Sequence, residues 1–215
     1  MEERASGIII RTRALTETSL IVHFLSADLG RIALVARGAR RPKSPFAGKL
    51  DLFYEGDISF SRSRKSELHN LREVALRDVH AALRKDLSRL NAAAYYTVLL
   101  EQGTETETPI PEFHQLCRDV LQALDLRAPS AGFVFALELK LLLALGAAPS
   151  ASVSEGARQL LNAYETLPLT AAHELPLPQP LKVELNNFLR RAIGTALERL
   201  PGQRERLLQS LEAAG

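Results

Sequence analysis

Cysteine is almost absent from this sequence, which excludes two common ways of stabilising or equipping a fold. The 215 residues include one cysteine, Cys117, and no tryptophan. A single thiol cannot form an internal disulfide, and without cysteine or histidine residues close by it cannot provide a zinc site with four protein ligands. We therefore interpret Cys117 as a packing residue and expect no metal.

The local motifs of nucleotide and metal chemistry are also missing. The sequence has no GxxxxGK loop followed by Ser or Thr and no GxGxxG loop, so nucleotide hydrolysis and dinucleotide redox chemistry lack support. The five histidines form neither an HExxH pattern nor a cluster with cysteine: His23, His69, His80, His114 and His173. We therefore expect no cofactor and no enzymatic activity, and interpret the chain as a binding protein.

Long hydrophobic runs are missing as well. The most apolar stretch, 133–148, contains Glu138 and Lys140 and is shorter than the ~20 residues that a membrane span needs. The first residues, MEERASG, include two acids and lack the apolar segment of a secretory signal. These features predict a cytoplasmic protein without a membrane partner.

Positive charge is modest in total but concentrated near the start of the chain. The formal net charge is +2, yet residues 1–80 contain 14 Lys and Arg against 10 Asp and Glu, whereas residues 81–215 contain 13 against 15. Arg37, Arg40, Arg41 and Lys43 lie within one short segment. Such a cluster repels itself, and a nucleic acid relieves the repulsion because each neutralised phosphate releases counterions. A solvated basic loop has the same composition, so both interpretations stay open.

The hydrophobic periodicity divides the chain into two parts. Five short segments in the first part have the composition and period of β-strands, and they predict a small antiparallel barrel: 8–13, 18–25, 31–37, 52–60 and 67–74. From about residue 75 the period changes to that of helices, which are predicted at 82–103, 111–124, 131–146, 155–166 and 182–199, with a short helix after Gly202. We expect an α+β protein with domains 1–78 and 79–215. The four prolines of 167–180 predict an extended connection there.

Specific residues around the basic segment resemble a known family. The matching runs are Arg13-x-x-x-Glu17-x-Ser19, Leu29-Gly30-Arg31 and the string from Val35 to Ser44, VARGARRPKS. Together they resemble the N-terminal domain of the bacterial recombination mediator RecO family. The later pattern Glu138-Leu139-x-Leu141-Leu142-x-x-Leu145-Gly146 is similar to that family's central helix.

The resemblance implies a five-stranded OB-fold barrel followed by an all-helical domain. Members bind single- and double-stranded DNA, anneal complementary strands, and cooperate with RecR to load the recombinase onto gaps coated by single-stranded-DNA-binding protein; they are not known as enzymes. The resemblance therefore implies a DNA repair protein of the bacterial nucleoid. The implied DNA-binding residues are Arg37, Arg40, Arg41 and Lys43, supported by Arg11, Arg13 and Lys49. Glu17 and Ser19 are expected to support a turn or an arginine.

The helical part departs from the family's pattern in two ways. Many members carry a four-cysteine zinc module after the central helix, whereas residues 150–180 contain no cysteine, so we expect no zinc module. Members also bind the acidic tail of single-stranded-DNA-binding protein, for which the implied residues are Phe135, Leu139, Lys140 and Leu142. Phe135 and Ala136 stand where arginines are expected, which leaves Lys140, Arg118 or Arg127 to supply the cation.

Two other functions fit the same composition. An RNA-binding barrel is the first, because barrels of this kind accept either polymer. The second is a non-enzymatic adaptor whose basic loop binds an acidic protein. Competition between matched DNA and RNA oligomers discriminates the first alternative, and tight protein binding without DNA retention is the signature of the second.

Overall fold

The computed structural model describes residues 2–149 and 152–213, and these form two compact units. The barrel unit contains the described residues up to His80 together with Glu105–Gln115, and the helical unit contains Ala81–Thr104 and the described residues from Leu116 onward. None of the helices in the described part of the chain is both long and apolar enough to cross a membrane.

Five strands close into a barrel in the first unit. They are β1 (Glu2–Ala14), β2 (Leu20–Ser26), β3 (Gly30–Ala36), β4 (Glu55–Ser61) and β5 (Leu68–Asp78). Their order around the barrel is β1-β2-β3-β5-β4, with β1 also paired to β4. This confirms the predicted OB-fold barrel. The pairing is antiparallel as predicted at four seams, and at the fifth β3 runs parallel to β5. An odd number of strands cannot alternate in direction around a closed ring, so one parallel pair is unavoidable.

The alternation of β3 builds the barrel core. Ile32, Leu34 and Ala36 are buried, whereas Arg31 and the other intervening residues are partly exposed. Val22 and Phe24 of β2 join the same core, as do residues of the other strands. Side chains on successive residues of a strand point to opposite faces, so the period-2 pattern in the sequence becomes an inner apolar face and an outer face that carries charge.

Several strand boundaries differ from the predicted ones, most of all the starts of β1 and β4 and the end of β5, which continues to Asp78 instead of ending at 74. β1 begins at Glu2 rather than at residue 8, because its polar first half pairs along β4, from Glu2 with Ser61 to Ile8 with Glu55. β4 begins at Glu55 rather than at residue 52. Phe53 has a φ of 63°, which a strand residue cannot adopt, and its amide donates to the Ile9 carbonyl from a turn.

A segment from beyond the first long helix returns to the barrel unit. This strap, Glu105–Gln115, forms a parallel bridge between Thr106 and Arg31 at the start of β3. Gly30 makes the close approach possible, since its φ is 68° and a Cβ there would lie 1.9 Å from the Thr108 carbonyl oxygen. On its other side Glu107 forms an ion pair with Arg62 at 2.7 Å, and its other carboxylate oxygen lies 3.2 Å from Nε2 of His69.

The helical unit is built around one apolar helix. The helices are α1 (Leu87–Gly103), α2 (Pro111–Leu126), α3 (Ala131–Ala144), α4 (Glu155–Thr166), α5 (Leu169–Ala172), α6 (Gln179–Ala196) and α7 (Gln203–Ala213). The first residues of α2 belong to the strap. From Gly132 to Leu142 only Lys140 of α3 escapes burial. α3 packs against α4, α5, α6, α1 and α7, which confirms its predicted central position.

Proline does not keep 167–180 fully extended, so that prediction is partly wrong. Pro168 is the N-cap of the single turn α5, and Pro180 lies in the first turn of α6, which therefore begins at Gln179 instead of 182. Proline lacks an amide hydrogen, but the first turn of a helix has no intrahelical acceptor for that hydrogen anyway. The chain between Glu174 and Pro178 is non-helical.

A buried ion pair joins α3 to α7. Glu138 has no exposed surface and Arg204 is 1% exposed. Arg204 Nε lies 2.7 Å from Glu138 Oε1 and Nη2 lies 3.0 Å from Oε2, while the Tyr95 hydroxyl donates to Oε1 at 2.7 Å. Burial opposes the charge on Arg204, but the Glu138 carboxylate outweighs that effect and raises the pKa of Arg204. Arg204 also donates to the Asn186 side chain, so every charged group here has a partner.

Candidate nucleic-acid interface

The cations predicted to bind DNA lie on an ordered loop between β3 and β4. Residues 37–54 contain successive backbone turns, in which the Arg41 amide donates to Gly38 O at 3.1 Å and the Ser44 amide donates to Arg41 O at 3.1 Å. Gly38 and Gly48 both adopt a φ near 70°, which a residue with a Cβ rarely does. We call residues 37–49 the basic loop.

An aromatic side chain fixes the basic loop to the barrel. Phe46 is 7% exposed and belongs to the core cluster of the barrel, with Ala39 and Leu50 packed partly against it. A buried aromatic side chain contributes a large apolar area, so removing Phe46 from the core is costly. The loop backbone is thereby held, and its cations are presented from a fixed base.

The turn between β1 and β2 supports the basic loop from the side. The Ser19 hydroxyl accepts a hydrogen bond from the Gly38 amide at 3.4 Å, and the Arg40 amide donates to Thr18 O at 3.0 Å. The Arg40 guanidinium also donates to Thr16 O at 3.2 Å. Ser19 therefore acts on the loop through its side chain, whereas Glu17 is exposed.

The four central cations of the predicted site are brought together on the surface. Arg37, Arg40, Arg41 and Lys43 are all exposed. Within residues 2–149 and 152–213 none of them forms an ion pair with an acidic side chain. A cluster of exposed cations without carboxylate partners is suited to bind a polyanion, because no internal pair must break first.

The supporting cations lie in two different places. Arg11 and Arg13 follow the outer face of β1, where they pair across the sheet with His23 and Ile21 of β2. Lys49 is half-buried instead, and with Arg4 and Arg72 it lines a cavity of about 830 Å³ in the barrel unit. The prediction therefore placed Arg11, Arg13 and Lys49 in one DNA-binding site, whereas in the structure Lys49 lies apart from the two arginines of β1.

Two further residues, on β2 and β3, lie on the same outer face of the barrel as Arg11 and Arg13 and were not among the predicted site residues. Arg31 on β3 pairs with Leu25, and His23 pairs with Ala33, so both belong to the outer row of the sheet. Burial, followed by Arg11, Arg13 and Arg31, lowers the pKa of His23. The signal available in the sequence was the alternation of β3, in which Arg31 alternates with the buried Ile32 and Leu34 and therefore points to the outer face.

The residues predicted to bind a partner pack the helical core instead. Phe135 and Leu142 have no exposed surface, so their side chains cannot form a docking surface, and Leu139 is 5% exposed. Lys140 is half-buried, its Nζ donates to Glu165 O at 2.9 Å, and burial lowers its pKa. The apolar run of α3 is explained by its central position.

Another concave surface in the helical unit combines apolar side chains with a cation. A groove of about 420 Å³ is lined by Ala147, Ala148, Pro149, Phe188, Arg191 and Ala192, among others. Arg191 is exposed, whereas Phe188, which also lines the groove, is 4% exposed. We call this surface the α6 groove, because most of its lining comes from α6.

Two family models match this chain. The model described as Recombination protein O N terminal matches residues 1–80, and the one described as Recombination protein O C terminal matches residues 84–164. The first covers the strands of the barrel and the basic loop, and the second covers α1, α2, α3 and most of α4.

Curated proteins are similar to the same region. The chain is 34% identical over 144 residues to the DNA repair protein RecO of Rhodopirellula baltica, covering 67% of this chain and 53% of that protein. It is 30% identical over 149 residues to the DNA repair protein RecO of an Exiguobacterium species, covering 69% and 59%. The matched region thus spans little more than half the length of these relatives.

Proposed function

Because this chain belongs to the recombination protein O family, we propose that it is a DNA repair and recombination mediator that binds single- and double-stranded DNA through its basic loop. We propose further that it anneals complementary strands and, with RecR, helps load the recombinase onto gaps coated by single-stranded-DNA-binding protein. The observation that carries the proposal is the set of four exposed loop cations without carboxylate partners in the described chain.

The geometry of the basic loop supports binding without sequence preference. Guanidinium and ammonium groups on an ordered loop neutralise phosphates, and phosphate contacts fix the position of a nucleic acid without reading its bases. The strand face that OB-folds use for oligonucleotides adjoins the loop, since Arg37 directly follows the last residue of β3. One backbone could therefore continue from the loop onto the outer face.

Annealing requires no catalytic group in this proposal. Two complementary strands repel each other through their phosphates, and a basic surface that binds both of them reduces that repulsion and raises their local concentration. Base pairing then supplies the specificity. The protein contributes charge and position only, which agrees with our expectation that it is not an enzyme.

The α6 groove is our proposed site for the acidic tail of single-stranded-DNA-binding protein. An acidic peptide that ends in an aromatic residue needs an apolar pocket beside a cation, and Phe188 with Arg191 offers that combination. The buried Phe135 and Leu142 do not. A mediator with these partners works on DNA, so we also propose that the protein is cytoplasmic and associated with the nucleoid.

An annealing assay with variants tests the proposal. The assay uses complementary DNA strands, either bare or coated with single-stranded-DNA-binding protein that has or lacks its tail. The wild-type protein is expected to accelerate annealing of bare strands and of strands coated by the tailed protein. R37A/R41A/K43A is expected to lose the acceleration on both of these substrates. R191E is expected to lose it only on strands coated by the tailed protein. Failure of the wild type on bare DNA would contradict the proposal.

Competition measurements separate the two alternative functions. The charge of the basic loop does not distinguish DNA from RNA, so matched DNA and RNA oligomers are made to compete for the wild-type protein. A clear preference for RNA would favour an RNA-binding role. Tight binding of an acidic protein with no retained DNA would favour an adaptor. In either outcome the role of the basic loop is checked by R37A/R41A/K43A in the same assay.

A further inference from the structure

One exposed apolar side chain of the barrel unit lies beside the basic loop. Of the large hydrophobic residues that are exposed in the described chain, only Leu15 and Val79 belong to the barrel unit. Leu15 is 44% exposed and lies in the turn that joins β1 to β2. A single exposed apolar side chain is normal on a protein surface, so its meaning depends on what surrounds it.

Hydrogen bonds fix the backbone of this turn and connect it to the basic loop. The Leu15 amide donates to Ser19 O at 2.9 Å. The Thr16 hydroxyl accepts from the amides of Thr18 and Ser19 at 3.3 Å and 3.1 Å. The Arg40 guanidinium donates at 3.2 Å to the carbonyl of Thr16, which follows Leu15 in the chain. Leu15 is therefore held at a defined place beside the loop cations.

Charges of both signs lie close to Leu15. Arg40 contacts the turn from the basic loop, and Arg13 precedes the turn on β1; both are exposed. Glu17 is exposed in the turn itself and forms no ion pair within the described residues. A carboxylate repels phosphate, so a DNA backbone attracted by the cations is kept away from the turn. The part of a nucleotide that can approach Leu15 is the uncharged base.

Resting on the proposed DNA binding, we propose that Leu15 contacts the face of an unstacked base in single-stranded DNA while the basic loop holds the neighbouring phosphates. The bases of a single strand can turn away from their backbone, and their faces accept apolar contacts. The bases of a duplex are stacked on one another, and both grooves are bordered by phosphates, which Glu17 repels. Leu15 therefore adds affinity for single-stranded DNA only, a distinction that the loop cations do not make.

The contact with Leu15 and the phosphate contacts respond differently to salt. Each neutralised phosphate releases counterions, so the loop cations determine how steeply affinity falls with salt concentration. An apolar contact releases no counterions and leaves that slope unchanged. Covering the exposed part of a leucine side chain is expected to raise affinity about three- to tenfold.

Variants of Leu15 in the whole chain test the proposal. Binding of an oligothymidylate and of a DNA duplex is measured against salt concentration. L15A is expected to bind the single strand about three- to tenfold more weakly with an unchanged salt slope, and to bind the duplex as the wild type does. L15M keeps an apolar side chain of similar volume and is expected to stay within about twofold of the wild type. L126A is the matched control, because Leu126 is exposed but belongs to the helical unit, and it is expected to behave like the wild type.

A fluorescent base provides a readout that a purely structural role of Leu15 would not change. 2-Aminopurine is quenched by stacking, so an oligonucleotide that carries it at several positions becomes brighter when bases leave the stack. At saturating protein, the increase is expected with the wild type and L15M and is expected to be smaller with L15A.

The outcomes separate this proposal from the proposed function. An L15A variant with the wild-type affinity for the single strand, equal losses on single strand and duplex, or an unchanged fluorescence increase would overturn the role of Leu15 and leave phosphate binding by the basic loop intact. A wild-type protein that binds neither DNA would instead overturn the proposed function together with it.

Discussion

Arg41 in the barrel unit and Arg204 in the helical unit carry the same side chain in opposite surroundings. Arg41 is exposed on the basic loop and pairs with no acidic side chain in the described chain. Arg204 is 1% exposed, forms a bidentate ion pair with Glu138, and donates to Asn186 as well. The comparison separates two uses of charge. The helical unit uses this guanidinium to join its helices, whereas the basic loop of the barrel unit leaves its cations available for a ligand.

The largest effect is expected from breaking the buried pair. Replacing Arg204 with Met leaves the Glu138 carboxylate buried without its cation, so the free energy of unfolding should fall by about 3–5 kcal/mol. Denaturant unfolding measures the change. The double variant E138L/R204M removes both charges and should recover most of the loss. A single variant as stable as R199A, which alters an exposed arginine, would contradict the structural role of the pair.

The barrel unit depends on close backbone contact where the strap meets β3, and two glycines test this. Gly30 and Gly48 have φ values of 68° and 71°, but a Cβ meets Thr108 O at 1.9 Å only at Gly30. G48A should cost about 1 kcal/mol for its backbone conformation alone. G30A should cost about 3 kcal/mol or more, because the strap must also move. Equal losses in thermal unfolding would show that the strap contact contributes nothing.

An intermediate loss of stability is expected from removing the side chain of Asp86, which caps the start of α1. Asp86 caps the helix by accepting from the Ser88 amide at 2.8 Å and from the Ser88 hydroxyl at 2.7 Å. D86A should lower the free energy of unfolding by about 1 kcal/mol near neutral pH, whereas D86N should keep most of it.

The pH dependence of this cap has a defined sign. The hydrogen bond from the Ser88 hydroxyl, together with the Ser88 amide and Arg89, lowers the pKa of Asp86 below its ordinary value of 3.8. The stabilisation by the ionised form is therefore present above that value and is lost as the pH falls through the lower pKa of the folded state. D86N should lack this acid-side loss. Parallel acid-side curves for the wild type and D86N would contradict the assignment.

The smallest effect is expected from removing charge on the basic loop. R37A/R41A/K43A deletes three cations that make no ion pair in the described residues and spares Arg40, which bonds to Thr16 O. The free energy of unfolding should change by no more than about 0.5 kcal/mol, or rise slightly because repulsion is relieved. A large loss of stability would mean that these cations have the same structural use as Arg204.

The barrel was largely predictable because its signals are local. The alternation from Gly30 to Ala36 appears in the structure as alternating burial. In the helical unit, α4 likewise occupies the predicted 155–166. The misplaced starts of β1 and β4 have different causes, since β4 starts late because of the turn at Phe53. The residues Glu2 to Ser6 are polar and show no apolar period, and they become a strand only because β4 lies beside them.

The ion pair and the strand-face residues were beyond local reasoning. Glu138 and Arg204 are 66 residues apart, so no window of sequence reveals that the acid in an apolar helix has a partner. His23, Arg11 and Arg31 belong to three strands, and only the register of the sheet brings them together. The cations of the basic loop, by contrast, are close in sequence, and the loop turns keep them close in space.

The salt dependence of DNA binding tests the central claim most directly. The logarithm of the binding constant is measured against the logarithm of salt concentration for the wild type, for R37A/R41A/K43A and for R158A/R199A/R206A, which removes three exposed cations of the helical unit. If the basic loop binds phosphates, the slope for the loop variant should be smaller in magnitude by about 2 and that of the control should stay unchanged. An unchanged slope for the loop variant would contradict the account.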